Sequence, residues 1–267
     1  MTTNEGSRFV RDKSICSALV SIVIYLFTAE LKAQSELNEL TVDRPGVAES
    51  PFTVPPGTFQ FETGFDYHNR TDGNVYFLPT MLFRTGISNR AELRITERHT
   101  IADTKEGSES GLSPLYIGAK VHVIKQRRWI PETDVLTNLL IPLGNGPFQP
   151  EGLGYEVLLL FQNDITEKFA VTYNIGYLWF NIEQGEIFTG SFCFNYLPTP
   201  KTGFFIEYFT LSPSWPGEHG VDGGMTYLLN PHIQLDLSAG ISGLEGNTNY
   251  FLSTGLSFRL QRSDKEL

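Results

Sequence analysis

Side chains along much of this sequence alternate with a period of two, and that period limits the fold before any motif is considered. From Ile233 to Ile241, the residues Ile233, Leu235, Leu237, Ala239 and Ile241 share one face, and Gln234, Asp236, Ser238 and Gly240 share the other. A strand with one apolar and one wet side reads this way, because successive side chains point to opposite faces. In Thr58 to Tyr67, Phe59, Phe61, Phe65 and Tyr67 stand opposite Gln60, Glu62, Gly64 and Asp66. Ser113 to Ile124 sets Leu115, Ile117, Ala119, Val121 and Val123 against Tyr116, Gly118, Lys120 and His122, and Phe169 to Trp179 repeats the pattern. Helical periodicity is scarce. About twelve such segments of roughly ten residues predict an all-β fold, a transmembrane antiparallel β-barrel.

The connections support this reading. GISNR (Gly86 to Arg90), DITEK (Asp164 to Lys168), PTPK (Pro198 to Lys201) and NPH (Asn230 to His232) are tight turns. Between them fall longer links: His68 to Asn74, Ile101 to Gly111, Pro142 to Gly152, Ser212 to Gly220 and Ser242 to Asn249. Short and long alternate, as in a barrel with short periplasmic turns, long loops on the far side and an even strand number.

A charge at mid-depth on the lipid face costs a few kcal/mol, so the polar faces are expected to line the lumen. That set comprises Glu62, Asp66, Arg84, Glu92, Arg94, Arg98, Lys120, Asp134, Glu156, Asn174, Glu207, Asp222, Asp236 and Arg259. A polar interior of mixed charge is expected. Tyr67, Trp129, Trp179, Tyr196, Tyr208 and Tyr250 are candidates for interface girdles.

The N-terminus reads as an export signal: Arg8, Arg11 and Lys13 precede the apolar run Ile15 to Ala29, and ELKAQS follows. That run is shorter than the ~20 apolar residues of a spanning helix. The expected division is signal peptide 1–33, proline-rich leader 34–57, outer-membrane β-barrel 58–260 and soluble tail 261–267. Removing the signal takes Cys16 with it and leaves Cys193, so no intrachain disulfide is expected and the sheet must hold itself. The net charge of -10 argues against a nucleic-acid partner, which needs a basic stripe. The expected partners are outer-membrane lipid, a small-molecule solute and the outer-membrane barrel-assembly machinery.

No catalytic constellation is legible. His68 and His219 fall in expected far-side loops, His232 in a tight turn, and His99 and His122 near strand ends. Without HExxH, GxSxG, P-loop or dinucleotide spacing, no metal, cofactor or catalytic residue is assigned. The acidic stretch Asp103 to Glu109 lacks the spaced ligands and glycine turn of a calcium loop and reads as a solvated one.

The stretch TVDRPGVAESPFTVPPGTFQFETGF (Thr41 to Phe65) resembles the opening motif of a bacterial barrel family named for the meta-pathway of phenol degradation, regarded as transporters. Further matches are LFRTGISNRAELRI (Leu82 to Ile95), GLSPLYIGAKVHVI (Gly111 to Ile124), LLIPLG (Leu139 to Gly144), YNIGY (Tyr173 to Tyr177), GFFIEYF (Gly203 to Phe209), DGGMTYLLNPHIQLDLSAG (Asp222 to Gly240) and YFLSTGLSFRL (Tyr250 to Leu260). The resemblance implies an outer-membrane barrel passing small organic molecules, with a hydrophobic or aromatic solute implied by the family's name alone. The chain departs from the pattern at Ser113 and Pro114, before the expected fourth strand, where the family carries an aspartate. It also ends in QRSDKEL rather than at an aromatic, which makes Phe258 the expected functional end of the last strand.

The expected function is therefore passive passage of small solutes through a barrel intermediate in width between filled ~8-stranded and open ~16-stranded ones. The alternatives are a structural or ligand-binding barrel acting through its extracellular loops, and a barrel hydrolase. Pro45, Pro51, Pro55 and Pro56 remove backbone donors, so the leader is not expected to be a strand. Two placements stay open for it: free in the periplasm, or folded into the lumen as a plug carried by Asp43, Arg44, Pro45 and Glu49. In the second, Asp43 and Arg44 pair with charges such as Arg94 and Glu62.

Overall fold

The computed structural model describes residues 40–143, 146–180, 186–212, 217–244 and 247–261. The expected signal peptide, the start of the leader and residues 262–267 lie outside them. The strands are β1 (Thr58–Arg70), β2 (Gly73–Ser88), β3 (Ala91–Thr104), β4 (Gly107–Leu112), β5 (Leu115–Ile124), β6 (Glu132–Ile141), β7 (Gly154–Asp164), β8 (Phe169–Trp179), β9 (Glu186–Thr199), β10 (Thr202–Ser212), β11 (Glu218–Asn230), β12 (Ile233–Leu244) and β13 (Asn247–Gln261). Neighbours pair antiparallel in sequence order, and β1 pairs with β13 from Thr58↔Gln261 to Asn69↔Tyr250. The sheet is a closed barrel with no free edge.

β4 and β5 are halves of one strand. Both pair with β3, β4 against His99–Thr104 and β5 against Ala91–Thr96, so thirteen segments make twelve barrel strands. The break falls at Ser113 and Pro114, where proline has no N–H for the ladder. Ser113 is held instead by its backbone N–H to the Arg98 carbonyl at 2.8 Å and by a hydroxyl contact with Thr100 at 2.7 Å.

Three expected long links are strand in their described residues, Ser242 to Asn249 among them, since β12 runs to Leu244 and β13 starts at Asn247. His68 to Asn74 and Ile101 to Gly111 close as hairpins, since β1 runs to Arg70 and β2 starts at Gly73, while β3 runs to Thr104 and β4 starts at Gly107. His68 and His219 accordingly lie in strands β1 and β11 rather than in loops. β13 continues to Gln261, three residues past Phe258.

Alternation of exposed and buried residues follows the two-residue period. On β12, Leu235, Leu237 and Ile241 are exposed while Gln234, Asp236, Ser238 and Ser242 are buried. A bulge changes the parity of β2: Leu78 and Pro79 are skipped in the pairing with β3, which jumps from Phe77 to Thr80. An unpaired residue in a bulge shifts the facing of everything beyond it. Arg84 and Leu82 are buried on the periplasmic side of the bulge, and beyond it Phe77 meets His68 and Arg98.

Candidate functional site

The leader from Leu40 to Gly57 makes no ladder, so its backbone groups need other partners. They find them on the inward side chains of the wall. The N–H of Asp43 donates to Glu62 at 2.9 Å, and those of Val47 and Ala48 donate to the two carboxylate oxygens of Glu207 at 2.7 and 2.6 Å. Glu49 N–H donates to Asn174 Oδ1 and Val54 N–H to Glu92, both at 2.7 Å. In the other direction, Arg84 donates to the carbonyls of Thr41 and Phe52, Lys120 to that of Ser50 and Asn174 to that of Glu49. Wall residues from β1, β2, β3, β5, β8 and β10 thus hold one irregular segment, which lies inside the barrel.

Its charges are bound as closely as its backbone. Asp43 accepts from Arg94 at 2.6 Å and Lys120 at 2.8 Å, and lies 3.1 Å from Arg84. Burial pushes the Asp43 carboxyl upward, but Arg84, Lys120 and Arg94 outweigh it and hold it well below the ordinary carboxylate range. Arg84 also pairs with Glu62 and Glu92, each at 2.9 Å, and Arg94 with Glu49 at 3.0 Å. Arg44 does not pair with Glu62: its guanidinium reaches Asp66 at 3.4 Å, Asp236 at 3.5 Å and Ser253 at 2.7 Å. Glu62 is already taken by Asp43 N–H, Arg84 and Gln60.

Gly57 ends the leader at φ +70, a left-handed conformation that favours glycine over residues with a Cβ. Just before it the chain passes over Gly86, where a Cβ would strike the Pro55 carbonyl. Val54, fully buried, anchors this end.

The remaining sequence-assigned residues have further partners on the wall. Asp134 meets His122 at 2.8 Å, Glu156 accepts from Asn138 at 2.6 Å, and Arg259 donates to Gln60 at 3.0 Å. Asp222 is buried opposite Glu207 in the register of β10 and β11. Arg98 lies over the rings of Phe77 and Tyr116.

The interior is not uniformly polar, which corrects the expectation from the sequence. Leu136, Leu158 and Leu160 form a buried apolar cluster, and Leu140 is fully buried. Toward the far ends of the strands, His68 stacks on Phe251 and meets Phe77 edge-on, each with ring centroids 5.3 Å apart. Phe209 lies 6.1 Å from Phe251. Phe209 covers Gly220 and Phe251 covers Gly240, since a Cβ at either glycine would strike the ring. The signal for these residues is weak, because GFFIEYF and YFLSTG place aromatic groups on both parities. Among the described residues, no group of three or more His, Cys, Asp or Glu could hold a metal ion.

A search of curated proteins gives no match. Among solved structures, the chain is similar to an outer membrane channel from Pseudomonas putida F1, at 12% identity and TM-score 0.63, covering 81% of this chain and 99% of that one. It is also similar to the NanC porin, at 10% identity and TM-score 0.55, covering 75% of this chain and 100% of that one. These likenesses are of fold, and the fold is that of an outer-membrane β-barrel. The family model described as "Putative MetA-pathway of phenol degradation" matches residues 42–260, and the chain belongs to that family.

Proposed function

We propose that the protein is a passive conduit for small organic solutes across the outer membrane, and that its own leader sets the width of the passage. The capture of leader N–H groups by Glu62, Glu92, Asn174 and Glu207 carries this reading. Apart from the backbone contact of Pro56 and Gly57 with Gly86, the segment is held by side chains and can leave without breaking the sheet, whereas a strand cannot. The outward apolar residues, among them Leu237 and Ile206, provide the face for membrane lipid. Residues 34–57 act as the plug, with the inward charged residues of the wall as its socket and the charged part of the lumen lining. Passage needs no cofactor and no covalent step.

Single-channel conductance tests this. Deleting residues 40–55 raises conductance and relaxes discrimination by solute size, in protein shown to be folded by heat-modifiable migration. The double variant Arg94→Ala/Lys120→Ala, which keeps the leader but weakens its grip, moves in the same direction. Conductance unchanged in both, with folding intact, would overturn the role given to the leader, and no solute passage in any variant would overturn the conduit itself.

A further inference from the structure

Most of the inward cations contacting the leader have an acid beside them. Arg44, Arg84, Arg94 and Lys120 each lie within 4 Å of at least one carboxylate. Arg98 is different. Its guanidinium carbon sits 5.2 Å from the centroid of the Phe77 ring and 5.9 Å from that of Tyr116, and among the described residues no carboxylate forms an ion pair with it. Arg98 also hydrogen-bonds the Tyr116 hydroxyl, and its charge reaches Glu97 and Glu156 without closing to an ion pair; cation–π contact orients such a guanidinium and leaves it able to take an anion. The residue is only half buried. Glu156, the inward acid across β5 and β6, accepts from Asn138 and feels the charge of Arg98 without pairing with it.

The walls beside Arg98 present flat aromatic faces. Phe77 continues into His68 and Phe251, and Phe209 follows across two strands whose glycines let the rings lie against the sheet. A ring standing out from the wall would fill the passage, whereas one lying over a glycine leaves space and offers its face. Aromatic faces bind other rings in offset or edge geometry at centroid distances of about 4.5–7 Å. A planar guanidinium matches a carboxylate through two parallel N–H donors.

Resting on the reading of the barrel as a conduit, we propose that Arg98 and the arc of rings beside it form a selectivity site for small aromatic carboxylates, placed on the outer side of the leader. The carboxylate pairs with Arg98, which no wall acid holds in an ion pair, and the ring of the solute packs on Phe77, with His68, Phe251 and Phe209 continuing the aromatic surface away from it. Arg98 is the specificity-determining residue, favouring the anion over a neutral ring of the same size. The rings favour a flat solute over a saturated one.

Calorimetric titration of the purified, leader-containing protein with sodium benzoate tests this, with benzyl alcohol and sodium cyclohexanecarboxylate as comparison solutes. Benzoate binds at least tenfold more tightly than either. Arg98→Gln weakens benzoate at least tenfold and leaves benzyl alcohol unchanged, while Phe77→Leu removes the preference over cyclohexanecarboxylate. Equal binding of benzoate and benzyl alcohol, benzoate binding unaffected by Arg98→Gln, or no benzoate binding at all overturns the proposal. Titration reads binding without flux, so a protein that binds benzoate but conducts nothing would overturn the conduit and keep the site.

Discussion

Asp43 and Lys120, 77 positions apart in sequence, meet at 2.8 Å inside the barrel. The same carboxylate oxygen lies 2.6 Å from Arg94 and 3.1 Å from Arg84, so one leader side chain is shared by three wall cations from three strands. Asp43→Asn leaves those cations facing one another. The expected result is a higher conductance at neutral pH, nearer to that of the leader deletion than to that of the parent protein, measured on single channels.

The acid dependence of this hold has a definite sign. A carboxyl whose pKa is depressed on docking contributes stability that is present above its free value of about 3.9 and lost as pH falls through the docked value. For Asp43 the docked value lies well below 3.8, so its contribution survives mild acid and fails only in strong acid. Glu49 moves the other way: burial outweighs the pull of Arg94 and pushes its carboxyl up. Its contribution is largest below about 4.3 and declines as pH rises through the raised value. Conductance should therefore fall as pH is lowered through the raised Glu49 value, and Glu49→Gln should flatten that change.

Arg84 is fully buried between Glu62, Glu92 and the leader. Removing one partner of a buried ionic cluster costs about 3 to 5 kcal/mol, because the remaining charges stay buried without it. Arg84→Ala should lower the temperature at which the heat-modifiable band is lost by much more than Arg90→Ala, whose residue is exposed at the β2–β3 turn.

Leu237 is 53% exposed on the outward face of β12 and Ser238 only 2% on the inward one. Leu237→Arg should destabilise the barrel by roughly 2 to 4 kcal/mol if it meets the middle of the bilayer, whereas Ser238→Arg should act chiefly on conductance. Reversible unfolding in lipid vesicles gives the first figure and single-channel recording the second.

Much of the wall was legible because a period of two is a local property. Gln234, Asp236 and Ser238 show their common face without knowledge of any neighbour. Strand length was less legible: Asn69, Arg70, Asp72 and Gly73 have the composition of a loop, yet they belong to a hairpin that continues the sheet past the turn residues. The Pro79 bulge could not be placed by alternation, so the inward position of Phe77 was missed. Phe209 and Phe251 were missed because their neighbours on the other parity are aromatic too. For the leader, prolines indicated that it was no strand and its charges that it needed partners. Which partners depends on how far each strand is shifted against the next around the whole circumference. Arg44 therefore meets Asp66 and Asp236, not Glu62.

The position of Arg44 bears on how the molecule is made. Its guanidinium touches Asp66 on β1, Asp236 on β12, and Ser253 and the Thr254 carbonyl on β13. These strands adjoin the junction where the beginning of the sheet meets its end, and Arg44 lies across that junction from within. During synthesis and export the arginine emerges about two hundred residues ahead of three of these four partners, so it must wait, solvated, until the circle is complete. Seating of the leader is then a late event that only a closed barrel permits, and an incompletely joined chain carries its stopper unfastened.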